Sequence, residues 1–198
     1  MRENLKYILA TIGVVLIGGA ALTYFYYDQL LYPLLVHPIK EVHVHSDFLF
    51  YIMGEQVDLS LNKYQSTTTQ ILSPNIHLHD NIGTEIHRHA DGVTLADFLH
   101  SLGFTLTDTC ITTDAQKTYC TDSRYSLLLF VNGATVPHPA SYINQEGDRI
   151  LLYYGDPRDP NIQTILEKIP QDACLYSGTC PERGAPPSES CGLTCNIR

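Results

Sequence analysis

The chain has 198 residues, 44% of them hydrophobic, which suits one compact domain with appendages better than two full domains. A net charge of −9 with only 12 Lys and Arg argues against a nucleic-acid partner, because phosphate contacts need clustered cations. A charged fraction of 17% and 13 Tyr argue against a disordered chain.

From Tyr7 to Tyr27 there is no charged residue, and Ile, Leu, Val, Ala and Gly dominate. About 20 such residues span a bilayer as a helix. Arg2 and Lys6 precede the run and Asp28 follows it. The positive-inside rule then sets a cytoplasmic N-terminus and an extracytoplasmic body. Tyr24, Phe25, Tyr26 and Tyr27 would form an aromatic belt at the outer interface. A cleaved signal peptide, cut near Gly18 to Ala21, is the alternative, and both readings export the rest. The expectation is a single-pass protein of the cell membrane with residues 1–27 as anchor. Residues 28–40, with Pro33 and Pro38, form a spacer before a domain over 41–160.

In that domain Val42, Val44, Phe48, Phe50 and Ile52 alternate with Glu41, His43, His45 and Asp47, the period of a strand. "MGE" marks a turn and "QVDLSL" a return strand. The Thr-rich residues 65–70 read as loop. In "IHLHDNIGTEIHRHA", Ile76, Leu78 and Ile86 have one parity, and His77, His79, Glu85, His87 and His89 the other. Asn81-Ile82-Gly83 fits a three-residue hairpin loop with Gly at the left-handed position. This register places His77 opposite His87 and His79 opposite Glu85. A helix follows, with Thr94 as N-cap, Asp97 at N3, an apolar stripe of Leu95, Phe98, Leu99 and Leu102, and Gly103 as its end.

The chain has six cysteines and no Cys-x-x-Cys, so disulfides are expected in an exported chain rather than a zinc ribbon or a thiol redox site. Cys110 and Cys120 lie equidistant from a turn near Asp114 to Gln116 and face each other if two short strands flank it. Closing so short a loop stabilises by about 2–3 kcal/mol. "SLLLFVNGATV" and "DRILLYYGD" are strands, and residues 161–169 form a short helix with Ile162, Ile165, Leu166 and Ile169 on one side. Beyond Pro170 the tail, with Cys174, Cys180, Cys191 and Cys195, has little apolar matter and needs its cysteines to hold a shape. These four are expected to pair among themselves, in an order the sequence does not choose. Residues 161–198 thus read as a short helix and a disulfide-rich tail.

The succession of a hairpin, "TLADFLHSLG", "LLLFVNGATV" and "INQEGDRILLYYG" resembles the β-grasp (ubiquitin-like) pattern over about residues 41–155. The resemblance implies an α+β fold, a β-grasp-like mixed sheet of four or five strands around one main helix, with the hairpin 75–90 as an insertion. The "VNG" and "GD-x-I" ending is similar to the sulfur-carrier branch. The chain runs on past Gly155, so that branch's free Gly-Gly end and its activity do not carry over. The whole chain also resembles membrane-anchored prokaryotic extracytoplasmic proteins that join such a domain to a Cys-rich tail, a likeness that implies no activity.

Three His-x-His units remain: His43/His45, His77/His79 and His87/His89. On a strand, residues i and i+2 share a face, and two imidazoles at that spacing converge on one ion with bonds of about 2.0–2.1 Å. His77 and His87 are the expected central pair, with His79, His89 and Glu85 around them, and His43 and His45 complete the set if residues 41–52 lie alongside. All-imidazole sites suit Cu²⁺ or Zn²⁺. The expected function is a membrane-tethered metal-binding module. The alternative is a disulfide-stapled structural or interaction domain, with an envelope protein as partner and a merely polar His face. No hydrolase or phosphate-loop motif occurs; a zinc hydrolase with Glu85 as base is the only formal catalytic reading, and binding is preferred to it. His37, His100 and His138 are expected to be ordinary loop or surface residues.

Overall fold

The computed structural model describes residues 16–24 and 40–189. Residues 16–24 are helical and exposed. They are part of the expected span; the rest of that span, the spacer to residue 39, His37, Cys191 and Cys195 lie outside the described residues. Among the described residues no helix is long and apolar enough to cross a membrane.

Residues from Lys40 onward form one unit, a mixed α+β fold. Its strands are β1 (Glu41–Ile52), β2 (Glu55–Gln56), β3 (Ile76–His77), β4 (Glu85–Ala90), β5 (Thr105–Leu106), β6 (Cys110–Thr112), β7 (Thr118–Cys120), β8 (Ser126–Val131), β9 (Ala134–Val136) and β10 (Arg149–Gly155). Its helices are α1 (Leu95–Ser101), α2 (Ile162–Lys168) and α3 (Ala173–Tyr176). The main sheet has seven strands in the order β3-β4-β1-β10-β8-β9, with β2 on the end of β1. A separate three-stranded sheet holds β5, β6 and β7. The strand total thus exceeds the four or five expected.

β1 and β10 run parallel at the centre, Phe48 beside Ile150 and Phe50 beside Leu152. Both strands are covered on two faces, which is why β1 is buried continuously from His45 onward. Phe48, Phe50 and Ile52 point into the larger core with Phe98, Leu99 and Phe104. The Phe98 ring meets Phe48 edge-on at 5.6 Å. Leu49 and Tyr51 point the other way, against Ile165, Leu166 and Ile169 of α2 and its end. Arg149 fixes that helix to the sheet by donating to the carbonyls of Leu166, Ile169 and Pro170.

The α1 cap forms as its sequence predicts: the Thr94 side chain accepts from Asp97 N, and Thr94 N donates to Asp97 Oδ2 at 2.9 Å. Cys110 and Cys120 are direct partners across β6 and β7 and form a disulfide.

Three expectations need correction. The return strand at 56–61 is two residues long, because the chain turns inward to bury Leu59 in the core. The long antiparallel neighbour of β1 is instead β4, with His45 beside His87 and Asp47 beside Glu85. The segment 75–90 is therefore built into the sheet rather than inserted beside it. The regular hairpin also ends early. His77 pairs with His87 as expected, but β3 stops there and His79 has no ladder partner opposite Glu85. The left-handed residues are Asp80 and Asn81, at φ 57° and 58°. Gly83 serves a different need: a Cβ on it would collide with Ser60 N and come within 2.7 Å of Leu59 C. The tail is packed onto the body. Asp47 accepts from the backbone N–H groups of Asp172 and Ala173, Ala173 is buried, and Cys174 is bonded to Cys180.

Candidate metal centre

Residues paired across a ladder point to the same face. The register His45–His87–His77 therefore lays three imidazoles in a row across β1, β4 and β3. His43 and His89 stand on the same face beyond a register shift between Glu41 and Val44. His79 folds back over His87, with ring centroids 3.9 Å apart. The six rings close into a circuit: His43–His45 4.5 Å, His45–His87 4.8 Å, His87–His79 3.9 Å, His79–His77 5.8 Å, His77–His89 5.0 Å and His89–His43 4.8 Å. All six expected histidines are thus together. Five are buried, and His43 is at the rim. The tail forms a roof over them.

That roof consists of Tyr176 of α3, Ser177 and Glu189. The Tyr176 ring lies 5.7 Å from His45 and 5.4 Å from His87. Ser177 Oγ lies 3.1 Å from His45 Nδ1 and close to Glu146 Oε1 and the Ala173 carbonyl. Glu189 reaches three imidazoles: Oε2 is 3.3 Å from His43 Nε2 and 3.9 Å from His87 Nδ1, and Oε1 is 3.2 Å from His45 Nε2. His43, His45, His87 and Glu189 each offer one ligand atom, all within 4.8 Å of one another, and can hold a metal ion. In a tetrahedron with bonds of about 2.0–2.1 Å, ligand atoms stand about 3.3 Å apart. The Glu189 separations from His43 and His45 lie near that value, and that from His87 is longer.

The outward nitrogens set the tautomers. A carbonyl oxygen only accepts, so His77 donates from Nδ1 to Ser73 O at 2.9 Å. His79 Nδ1 faces Asp80 Oδ2 at 2.8 Å. Ser177 has one hydroxyl proton, which goes to Glu146 or to the Ala173 carbonyl, so its oxygen accepts from His45 Nδ1. In the neutral ring, each Nε2 then keeps its lone pair. Nε2 of His77, His79 and His89 is buried without a hydrogen-bond partner. Metal-binding histidines characteristically have the second nitrogen held by an oxygen in this way.

Burial lowers His77 to about 4 and His89 to about 3, and it pushes His87 well below the ordinary imidazole value. These rings are neutral at neutral pH, the form that binds metal. Burial works to raise Glu189, but its contacts with His43 and His45 outweigh that and hold it below the usual carboxylate range. The same Glu189 contact raises His43. Glu85, the seventh expected ligand, is on the same face but opposite Asp47, outside the four-residue group. Both its oxygens are buried without a hydrogen-bond partner, and burial, then the nearby Asp47 charge, pushes it up to about 9.

His100 is exposed on α1, and His138 lies exposed against Asp108 at 2.9 Å. Sequence reasoning missed Glu189, Tyr176 and Ser177. A Pro- and Ser-rich tail has no periodicity to fix a face, and only the Cys174 and Cys180 pair signals that it holds a shape. Compared with protein-family models, curated proteins and solved structures, the chain matches none.

Proposed function

We propose that this protein is a membrane-tethered, extracytoplasmic metal-binding module that holds Cu²⁺ or Zn²⁺ between His43, His45, His87 and Glu189. One contact carries the reading. His45 Nε2 lies 3.2 Å from a Glu189 oxygen, a separation that either a proton on the ring or a metal ion between the two accounts for. A proton would satisfy one imidazole. A metal ion satisfies three, and Glu189 touches three. Neutral imidazoles and one carboxylate suit zinc and copper alike.

The scaffold is read as β-grasp-like. What supports this is a central parallel pair, β1 and β10, flanked by antiparallel β4 and β8, with α1 against one face. The tether rests on the uncharged run 7–27 between Lys6 and Asp28, and export agrees with the two disulfides. Elemental analysis of the full chain, purified in detergent without a His-tag, tests the function. Stoichiometric copper or zinc is expected, reduced by one ion per chain when His45 and Glu189 are replaced by Ala and Gln. A metal-free protein that takes up neither ion at micromolar concentration overturns it in favour of a disulfide-stapled interaction domain.

A further inference from the structure

The four-residue site uses three of six clustered imidazoles. We propose that the other three, His77, His79 and His89, form a second ion site beside the first, open at its fourth position to water or a small anion. This rests on the metal-binding reading above and adds a separate centre to it.

The three rings are neighbours through His77. Each of the three offers an Nε2 that is buried and has no hydrogen-bond partner. Unpaired polar atoms in a protein interior are rare and costly, and three such nitrogens among the described residues in one circuit of rings are suited to binding a cation. Two of them already have their other nitrogen fixed, His77 by the Ser73 carbonyl and His79 by Asp80. The Asp80 carboxylate also supplies negative charge. His77 is the middle member, with its centroid 5.8 Å from His79 and 5.0 Å from His89. Two imidazoles on one tetrahedral ion, with bonds of about 2.0–2.1 Å, place their centroids about 5 Å apart.

The first site cannot absorb these donors. With His43, His45, His87 and Glu189 it already has the four ligands of a tetrahedral ion. The second has three protein ligands, the count that leaves a coordination position for an exogenous group. The two sites are neighbours through His87, whose ring lies 3.9 Å from that of His79 and whose Nδ1 looks toward Glu189.

The test is Co²⁺ loading of the full, tag-free chain in detergent, read by native mass spectrometry and by the visible spectrum of the bound ion. Two Co²⁺ per chain are expected. H77N with H79N should leave one ion, and so should H43N with E189Q. Azide should shift the spectrum of the second form, in which His77, His79 and His89 remain, and leave the first unchanged. The parent stoichiometry needs no variant: one ion per chain overturns the second site whatever the variants do. If that single ion survives H77N/H79N, the four-residue site stands alone. If it is lost in both variants, all six histidines serve one site and the two-site division is wrong. Chains that bind no Co²⁺, Cu²⁺ or Zn²⁺ refute the metal-binding reading itself.

Discussion

Glu189 Oε1 lies 3.2 Å from Nε2 of His45, so a tail residue meets the first strand of the sheet inside the imidazole cluster. Removing either partner should matter more than removing any surface histidine. His45→Ala or Glu189→Gln should weaken Zn²⁺ binding at least about tenfold, the range typical for a ligand or its close support. His87→Ala should do the same. His100→Ala, on the exposed face of α1, should leave affinity unchanged. Calorimetry at pH 7.5 compares the four. Equal affinities would place the ion elsewhere.

Metal-free stability should fall on both sides of neutrality. His77, His87 and His89 have folded values below their unfolded ones. They contribute stability above about pH 6.5, and it is lost as pH falls toward about 4. Glu85, raised to about 9, has the opposite sign: its contribution is present below about pH 4.5 and disappears as pH rises through 9. Asp47 and His43, also raised, act in the same direction as Glu85, while the lowered Glu189 acts with the three histidines. Urea unfolding of the metal-free domain from pH 5 to 9.5 should show a maximum near neutrality. Glu85→Gln should flatten the alkaline limb and leave the acid limb in place.

The two disulfides should separate stability from binding. Cys110→Ser with Cys120→Ser opens a short loop of the separate three-stranded sheet and should cost about 2–3 kcal/mol in unfolding free energy with unchanged metal affinity. Cys174→Ser with Cys180→Ser frees the stretch containing Tyr176 and Ser177, which touch His45. Its signature should be faster metal release to a chelator in stopped flow. Identical release rates would mean that the contacts of Asp47, Ser177 and Glu189 hold the roof without the disulfide.

Gly83→Ala should destabilise although Gly83 is not in a left-handed conformation. Its added methyl meets backbone of residues 59 and 60, which gives less readily than a side chain, and overpacking of this kind costs about 1–3 kcal/mol. Denaturant midpoints decide; a neutral result would mean that the 59–60 turn is mobile.

Topology has a direct test. Protease added to intact cells, or to spheroplasts where an outer membrane exists, should remove residues beyond 40. Protection there, with cleavage in inverted vesicles, would reverse the proposed orientation.

Local rules were legible where one segment carries the whole signal. Thr94 and Asp97 announce the α1 start, the symmetry of Cys110 and Cys120 announces their bond, and the shared parity of His77, His87 and His89 announces a common face. Pairings between distant segments were not. Nothing near Gln56 says that its strand will yield the long edge of β1 to residues 85–90, because both segments alternate equally well. Nothing near Gly83 reveals the backbone that approaches it. Glu189 was invisible for the same reason: a lone carboxylate in a coil acquires a role only from what it lands on.

Glu189 also comes after every described strand in the chain. During synthesis the His-x-His units therefore emerge before it. On the proposed reading, the fourth ligand arrives only after β10 and the tail have been made, and selection among metals is postponed to the end of folding.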